Sequence, residues 1–186
     1  MNKPLQYRTL YRTVSAIGGS VLFFLVLSAC NSSGKSKPSP LHVEHGTVGS
    51  TKIKIEYSSP AVKGRKIFGI GSGYLEQFGE VWRTGANKAT TLEFSHNIQV
   101  DSVLLKAGRY ALFTVPNENE WTIIVNRDWD QWGSYNYDQS EDVARLKVAS
   151  SSLTNKIERM KIWIEDDSLC FAWNHTGWKV PVSSPP

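Results

Sequence analysis

Residues 51–57 read Thr-Lys-Ile-Lys-Ile-Glu-Tyr, and this stretch decides the fold class. Its apolar side chains, Ile53, Ile55 and Tyr57, alternate with charged ones, which is the period of a β-strand that has one buried and one solvated face. The strand is expected to stop before Pro60, because proline lacks the N–H that a sheet hydrogen bond needs. We therefore expect the first strand of the domain to lie here.

Eight further segments have the same character, and two long segments do not. Short strands at regular spacing are typical of sandwiches and barrels, so the sequence predicts an all-β fold, an antiparallel β-sandwich or jelly-roll-like domain of about 8–10 short strands. Residues 60–88 and 127–144 are rich in glycine and aromatic residues and are predicted to be long ordered loops. The eight predicted strands are residues 89–95, 98–105, 108–115, 120–126, 145–149, 157–165, 168–174 and 177–182.

The beginning of the chain has the layout of a secretory signal. Three cations precede an apolar run at residues 14–27, which is short of the roughly 20 residues that a membrane span needs. Leu27-Ser-Ala-Cys30 then resembles the lipobox of bacterial lipoproteins. This resemblance implies that a signal peptide, residues 1–29, is removed and that acyl chains on Cys30 hold the protein at a membrane. The alternative is an ordinary secreted protein.

Residues 31–40 have no apolar side chain to bury and are predicted to form a flexible tether. We expect the lipidated Cys30 and the tether to occupy residues 30–45, and one β-sandwich domain to occupy residues 46–186. Residue 31 is Asn rather than Asp, so the inner-membrane retention signal of some lipoproteins is missing. The resemblance thus implies the outer membrane, with the domain facing the periplasm or the cell surface.

Charge and cysteine content limit the classes of function. Three of the 21 Lys and Arg residues lie in the signal segment, which has no acidic residue, so 18 cations remain against 17 acidic residues. A net charge near +1 argues against a nucleic-acid-binding protein, which normally has a basic stripe. The second cysteine, Cys170, lies in an apolar run and is expected to be a buried thiol.

Four segments resemble a family of envelope proteins known as domain of unknown function 2911. The resemblance covers roughly residues 46–149 and implies an exported β domain, but it implies no reaction. The segments are Ser59-Pro-Ala-Val-Lys-Gly-Arg65, Ile67-Phe-Gly69, Val81-Trp-Arg-Thr-Gly-Ala-Asn87 and Ala107-Gly-Arg-Tyr-Ala-Leu-Phe113.

The same loops contain side chains suited to ligand binding. An aromatic ring stacks on an apolar face, while a guanidinium and a carboxamide hydrogen-bond hydroxyls or an anion. The alternative is structural: Arg83 pairs with Glu93 or Asp101, Asn87 caps a turn, and the aromatic residues of 129–137 form an auxiliary core. The predicted ligand-binding residues are Arg65, Trp82, Arg83, Asn87, Trp129 and Trp132.

The leading hypothesis for function is a non-enzymatic module that binds a small molecule, a glycan or a partner protein. The alternatives are a glycan-acting hydrolase, with Glu93, Asp128 or Asp130 as paired carboxylates, and a purely structural envelope lipoprotein. The sequence indicates no catalytic residue, no cofactor and no metal. His42-Val-Glu-His45 offers two imidazoles and a carboxylate at the tether boundary, fewer than the four ligands of a structural zinc site.

Overall fold

The computed structural model describes residues 38–185, most of which lie in β-strands. Within these residues, no helix is long and apolar enough to cross a membrane. The strands are β1 (Leu41–Val48), β2 (Thr51–Ser58), β3 (Lys66–Gly69), β4 (Tyr74–Gln77), β5 (Thr90–Phe94), β6 (Ile98–Val100), β7 (Val103–Leu105), β8 (Gly108–Val115), β9 (Glu120–Asn126), β10 (Asp142–Ala149), β11 (Ser151–Glu165) and β12 (Ser168–Ser183), and a 3₁₀ helix at Gln139–Glu141 precedes β10.

Two antiparallel sheets account for most of these strands. The larger sheet has the order β1-β2-β5-β8-β9-β10, and the second has the order β11-β12-β6-β7. Strands β3 and β4 pair with each other in parallel. The two large sheets pack against each other, so the predicted all-β class and antiparallel sandwich are confirmed.

The main core lies between the two large sheets and contains a cluster of packed aromatic rings among aliphatic side chains. Trp121, Phe171, Trp173 and Trp178 are almost completely buried. The half-buried ring of Phe68 packs edge-on against Trp121, with 4.8 Å between ring centroids. Aromatic residues remove large apolar areas from water, so these five rings contribute strongly to the stability of the sandwich.

The prediction that the flexible tether extends to residue 45 is wrong, because β1 begins at Leu41. Strand β1 pairs with β2 along its whole length, from Leu41 opposite Ser58 to Val48 opposite Thr51. Its inward-facing positions carry His42, Glu44 and Gly46, so the strand lacks the alternating apolar pattern that predicts one. Backbone pairing at the edge of the sheet forms it instead. The predicted signal peptide and Cys30 lie outside the described residues.

Two strand predictions differ from the structure: one predicted strand is divided by a turn, and two predicted strands are joined into one. Residues 98–105 form a hairpin rather than one strand, since Asp101 adopts a left-handed φ of 52° between β6 and β7. Conversely, β12 runs continuously from Ser168 to Ser183, where two strands, 168–174 and 177–182, were predicted, and His175 lies in this strand. Its pairing with β11 shifts register on both sides of Asn174. The polar residues 174–176 therefore mark an irregularity in a continuous strand and not a turn that reverses the chain.

The two predicted long loops are ordered and contain short elements. Residues 60–88 include the parallel pair of β3 and β4. In residues 127–144, the 3₁₀ helix leads into β10, which begins at Asp142. The Asp138 side chain caps this helix by accepting a hydrogen bond from the Ser140 backbone N–H at 2.8 Å. Both segments therefore have fixed positions on the sandwich.

Candidate functional site

A second, smaller core lies on the opposite face of the six-stranded sheet and holds the aromatic loop in place. It contains Ala111, Phe113 and Ile124, which alternate along β8 and β9 with residues of the main core. Tyr137 packs edge-on against Phe113 with 5.1 Å between ring centroids. The Tyr137 hydroxyl donates to Asp142 Oδ2 at 2.6 Å, and its burial and this contact raise the pKa of Tyr137 to about 12.

Backbone hydrogen bonds join this aromatic loop to the loop that precedes β5. The Ala89 N–H donates to the Gln131 carbonyl at 3.0 Å, and the Gly133 N–H donates to the Asn87 carbonyl at 3.0 Å. Residues 87–89 and 131–133 therefore form a single wall. These two backbone hydrogen bonds hold the two segments against each other, although more than 40 residues of sequence separate them.

Beside this wall, a pocket of about 340 Å³ opens on the six-stranded sheet. Its floor is formed by Glu56, Thr91 and Arg109, which lie on the neighbouring strands β2, β5 and β8. The walls come from the two joined loops, from the first residue of β1 and from the last residue of β2. This volume lies within the range of about 300–1,000 Å³ that is usual for small-molecule sites. The wall residues include Leu41, Ser58, Lys88, Ala89, Trp129 and Asp130.

The guanidinium of Arg109 is held in a fixed position in the pocket. Its Nη2 donates to the carboxylate of Glu56 and, at 3.1 Å, to Thr91 Oγ1, which also accepts from Nε at 3.3 Å. The guanidinium carbon lies 4.3 Å from the centroid of the Trp129 ring, as in a cation–π contact. Nη1 makes no hydrogen bond to another described residue. One forked donor is thus oriented and still available to a ligand.

A second ion pair lies at the mouth of the pocket and is more exposed. Lys88 Nζ lies 2.8 Å from Asp130 Oδ1, and the two side chains are 68% and 61% exposed. The hydrogen bond and charge of Lys88, together with the charge of Arg109, lower the pKa of Asp130. Exposed pairs of this kind contribute little to stability, so a ligand can exchange with either partner at little cost.

Comparison with known proteins assigns the chain to a protein family. The family model described as Protein of unknown function (DUF2911) matches residues 39–182. The chain belongs to this family. The match extends beyond the roughly 46–149 predicted from sequence motifs and includes β1 and nearly all of β12. No curated protein and no solved structure matches the chain.

In this DUF2911 domain, Trp82 belongs to the main core and not to the pocket. It is 3% exposed, and its ring stacks on Trp173 with 5.8 Å between centroids. The indole N–H donates to the Gly85 carbonyl at 3.1 Å, which closes the Trp82–Asn87 turn on itself. The ring predicted to stack on a ligand therefore stabilises the sandwich.

Arg65 and Arg83 lie near the partly buried carboxyl group of Glu76 and do not line the pocket. Arg65 donates to the backbone carbonyls of Ala61 and Val62, at 2.5 and 3.1 Å. The Nε of Arg83 is buried and has no hydrogen-bond partner among the described residues. Burial raises the pKa of Glu76 to about 7, although the charges of Arg83 and Arg65 act in the opposite direction.

Asn87 and Trp132 flank the pocket of the DUF2911 domain without lining it. Asn87 has a left-handed φ of 61°, and its amide donates to Ser58 Oγ at 3.2 Å. Because Ser58 lines the pocket, this hydrogen bond lets Asn87 fix the position of a lining side chain. The backbone of Trp132 pairs with that of Lys88 in an isolated antiparallel β-bridge, and the Trp132 side chain is 60% exposed. Of the six predicted ligand-binding residues, only Trp129 lines the pocket itself.

The carboxylates proposed for hydrolysis do not converge. Asp130 lines the pocket beside Arg109, whereas Glu93 lines a different, smaller pocket with His45 and Lys54. Asp128 is exposed, and its backbone N–H donates to the Asn126 side chain. A glycosidase acid requires a raised pKa, and the pKa of Asp130 is lowered.

Sequence reasoning missed Glu56, Lys88, Thr91 and Arg109. Period-two alternation places Arg109 on the face opposite to Tyr110, and it places Glu56 opposite to Ile55 in the same way. What the sequence does not supply is the strand order that puts β2, β5 and β8 side by side. The sequence could therefore predict which face of a strand each residue occupies, but not that these residues are neighbours.

Proposed function

We propose that the protein is a lipid-anchored cell-envelope protein whose domain is a non-enzymatic module that binds a small molecule. The cysteine after the apolar segment and the missing Asp at residue 31 support an anchor at Cys30 in the outer membrane. In this proposal, residues 31–40, predicted to be a flexible tether, link Cys30 to β1, which begins at Leu41. The pocket opens beside Leu41, at the start of this strand.

The observation that supports binding most directly is the preorganised Arg109. Glu56, Thr91 and the Trp129 ring hold its guanidinium, so little side-chain entropy is lost when a ligand binds. Nη1 and the exposed Lys88 offer donors to a carboxylate or phosphate. Leu41 and Trp129 offer apolar contacts beside these donors. The ligand we propose is therefore a small molecule with one anionic group and an apolar or aromatic body.

Benzoate is a suitable probe, because it combines a carboxylate with a ring. With the full chain purified in detergent, we expect calorimetry to give a dissociation constant on the order of 1 mM, and we expect neutral benzamide to bind more weakly. Arg109→Gln removes the charge-assisted hydrogen bond and should weaken benzoate binding about tenfold.

Arg127→Gln is the matched control, because Arg127 is an exposed arginine that pairs with Glu141 at 2.9 Å and lies outside the pocket. This variant should bind benzoate as the wild type does. Equal benzoate affinity in folded Arg109→Gln and in the wild type would rule out Arg109 as the anion-binding residue. The same circular dichroism spectrum in all three proteins excludes misfolding as the cause of a difference.

The anchor is tested separately, by metabolic labelling with a palmitate analogue. We expect the wild type to be labelled and to fractionate with outer membranes, and Cys30→Ser to lose both the label and the membrane association. Cys170→Ala is the control, because Cys170 is the only other cysteine and is buried. Label retained in Cys30→Ser would contradict the lipid anchor and leave the pocket proposal untouched.

A further inference from the structure

A second pocket lies at the end of the sandwich where the β8–β9 and β10–β11 turns meet. It has a volume of about 420 Å³ and shares no lining residue with the first pocket. The Ser150 N–H donates to the Asn119 carbonyl at 2.8 Å and fixes the two turns to each other. Phe68, from β3, and Phe78, which follows β4, line another side of the pocket. Its shape is therefore determined by four different parts of the fold.

The lining of this end pocket is polar but almost uncharged. Asn and Ser side chains of residues 117–119 and 150–152 supply both donors and acceptors, and Thr176 adds a hydroxyl. Glu118 is the only carboxylate among the described lining residues, and none of them is Lys or Arg. This chemistry disfavours an anionic ligand, because nothing in the lining compensates its charge. It favours a neutral molecule with many hydroxyl groups.

Aromatic side chains form the apolar part of this pocket. Trp121 lines it together with the half-buried ring of Phe68. The Trp121 side chain is fully buried, and its indole Nε1 has no hydrogen-bond partner among the described residues, as is also true of Trp173 and Trp178 in the main core. A ligand with an apolar face can pack on these rings, and the Trp121 indole lies where it reports on occupancy of the pocket.

His175 contributes a defined acceptor at the rim. Its Nδ1 lies 3.0 Å from the Leu153 carbonyl oxygen, which can only accept, so Nδ1 is the protonated nitrogen. In the neutral ring, Nε2 then carries a lone pair and accepts a hydrogen bond. The carbonyl of Leu153 thus fixes the tautomer that suits a hydroxyl donor.

We propose that the end pocket is a second binding site of the protein, for an uncharged sugar ring. The ring's apolar face packs on Phe68 and Phe78, and its hydroxyl groups exchange hydrogen bonds with Asn119, His175 and the serines of 150–152. This site is independent of the anion-binding pocket, and its failure would leave that pocket unaffected.

The test is a titration of the full chain in detergent, labelled with ¹⁵N, with glucose, N-acetylglucosamine and glucuronate. The indole N–H resonance of Trp121 is assigned from its loss in Trp121→Phe. We expect at least one of the two neutral sugars to shift this resonance with a dissociation constant in the millimolar range. Glucuronate should bind more weakly, because its carboxylate meets Glu118 and no cation.

Two variants and one control complete the test. Asn119→Ala and His175→Ala replace exposed side chains and should each weaken binding of the sugar about fivefold. Arg109→Gln, in the other pocket, should leave sugar binding unchanged. The proposal is overturned if neither neutral sugar shifts the Trp121 resonance, or if the shift persists with equal affinity in both alanine variants.

Discussion

At Glu76, burial and charge act in opposite directions on one carboxyl group. Its removal from water raises its pKa to about 7, while Arg83 and Arg65 favour the charged form and only partly offset this effect. The group makes no ion pair within 4 Å among the described residues. Glu76 is therefore a carboxyl group that the fold prefers to keep protonated.

This preference makes stability depend on pH. The folded pKa lies above the ordinary value of 4.5, so the folded state binds more protons than the unfolded state between these two values. The free energy of unfolding should thus be highest below pH 4.5 with respect to this group, and should fall by about 1–3 kcal/mol as the pH rises to about 7. Glu76→Gln should remove this contribution and be more stable than the wild type at pH 8.

Urea denaturation at pH 4.5 and pH 8 measures the difference. Glu80→Gln is the matched control, since Glu80 lies four residues away and is exposed. It should show the wild-type dependence on pH. A Glu76→Gln variant that loses the same stability as the wild type between the two pH values would show that Glu76 ionises normally in the fold.

Two tryptophans show how far residue type predicts a role. Trp82 and Trp129 both lie in loops beside charged residues, and both were predicted to bind a ligand. Trp82 is buried among Phe68, Trp121 and Trp173. Trp129 is 38% exposed, and its ring contacts the guanidinium of Arg109. The difference depends on which strands lie below each loop, and this information is not local to either sequence segment.

At the scale of elements, strands with one apolar face were predictable and strands without one were not. β2, β5, β8 and β9 were found from their alternation or their apolar runs, and each contributes to the main core. Strand β1 was missed because three of its four inner positions are His, Glu and Gly, so it depends mainly on pairing with β2 and contributes Val48 alone to the main core. Hydrophobic periodicity reports burial, and an edge strand can form without it.

The predicted aromatic loop combines both alternatives considered for it. Tyr137 packs on Phe113 in an auxiliary core, as the structural interpretation predicted. Trp129 lines a pocket, and its role in ligand binding stays a prediction. One segment can do both because a loop that is anchored at one point holds its other side chains in a fixed position.

At the scale of the whole molecule, the sandwich depends on close contact between β1 and β11, which belong to different sheets. Gly46 on β1 faces Ile164 on β11, and a Cβ at position 46 would lie 2.6 Å from Ile164 Cβ. That atom is attached directly to the backbone, so it cannot move aside as the end of a flexible side chain can. A glycine at this position is what allows the edges of the two sheets to approach.

Gly46→Ala should therefore separate the sheets locally and lower the free energy of unfolding by about 1–3 kcal/mol. Gly73→Ala is the control, because no atom lies within 4 Å of its Cβ position and its φ is not left-handed. It should change stability by less than about 0.5 kcal/mol. Urea denaturation of both variants, followed by tryptophan fluorescence, measures the difference. Equal midpoints would mean that β1 can shift away from β11 without loss, and that the strand is held by β2 alone.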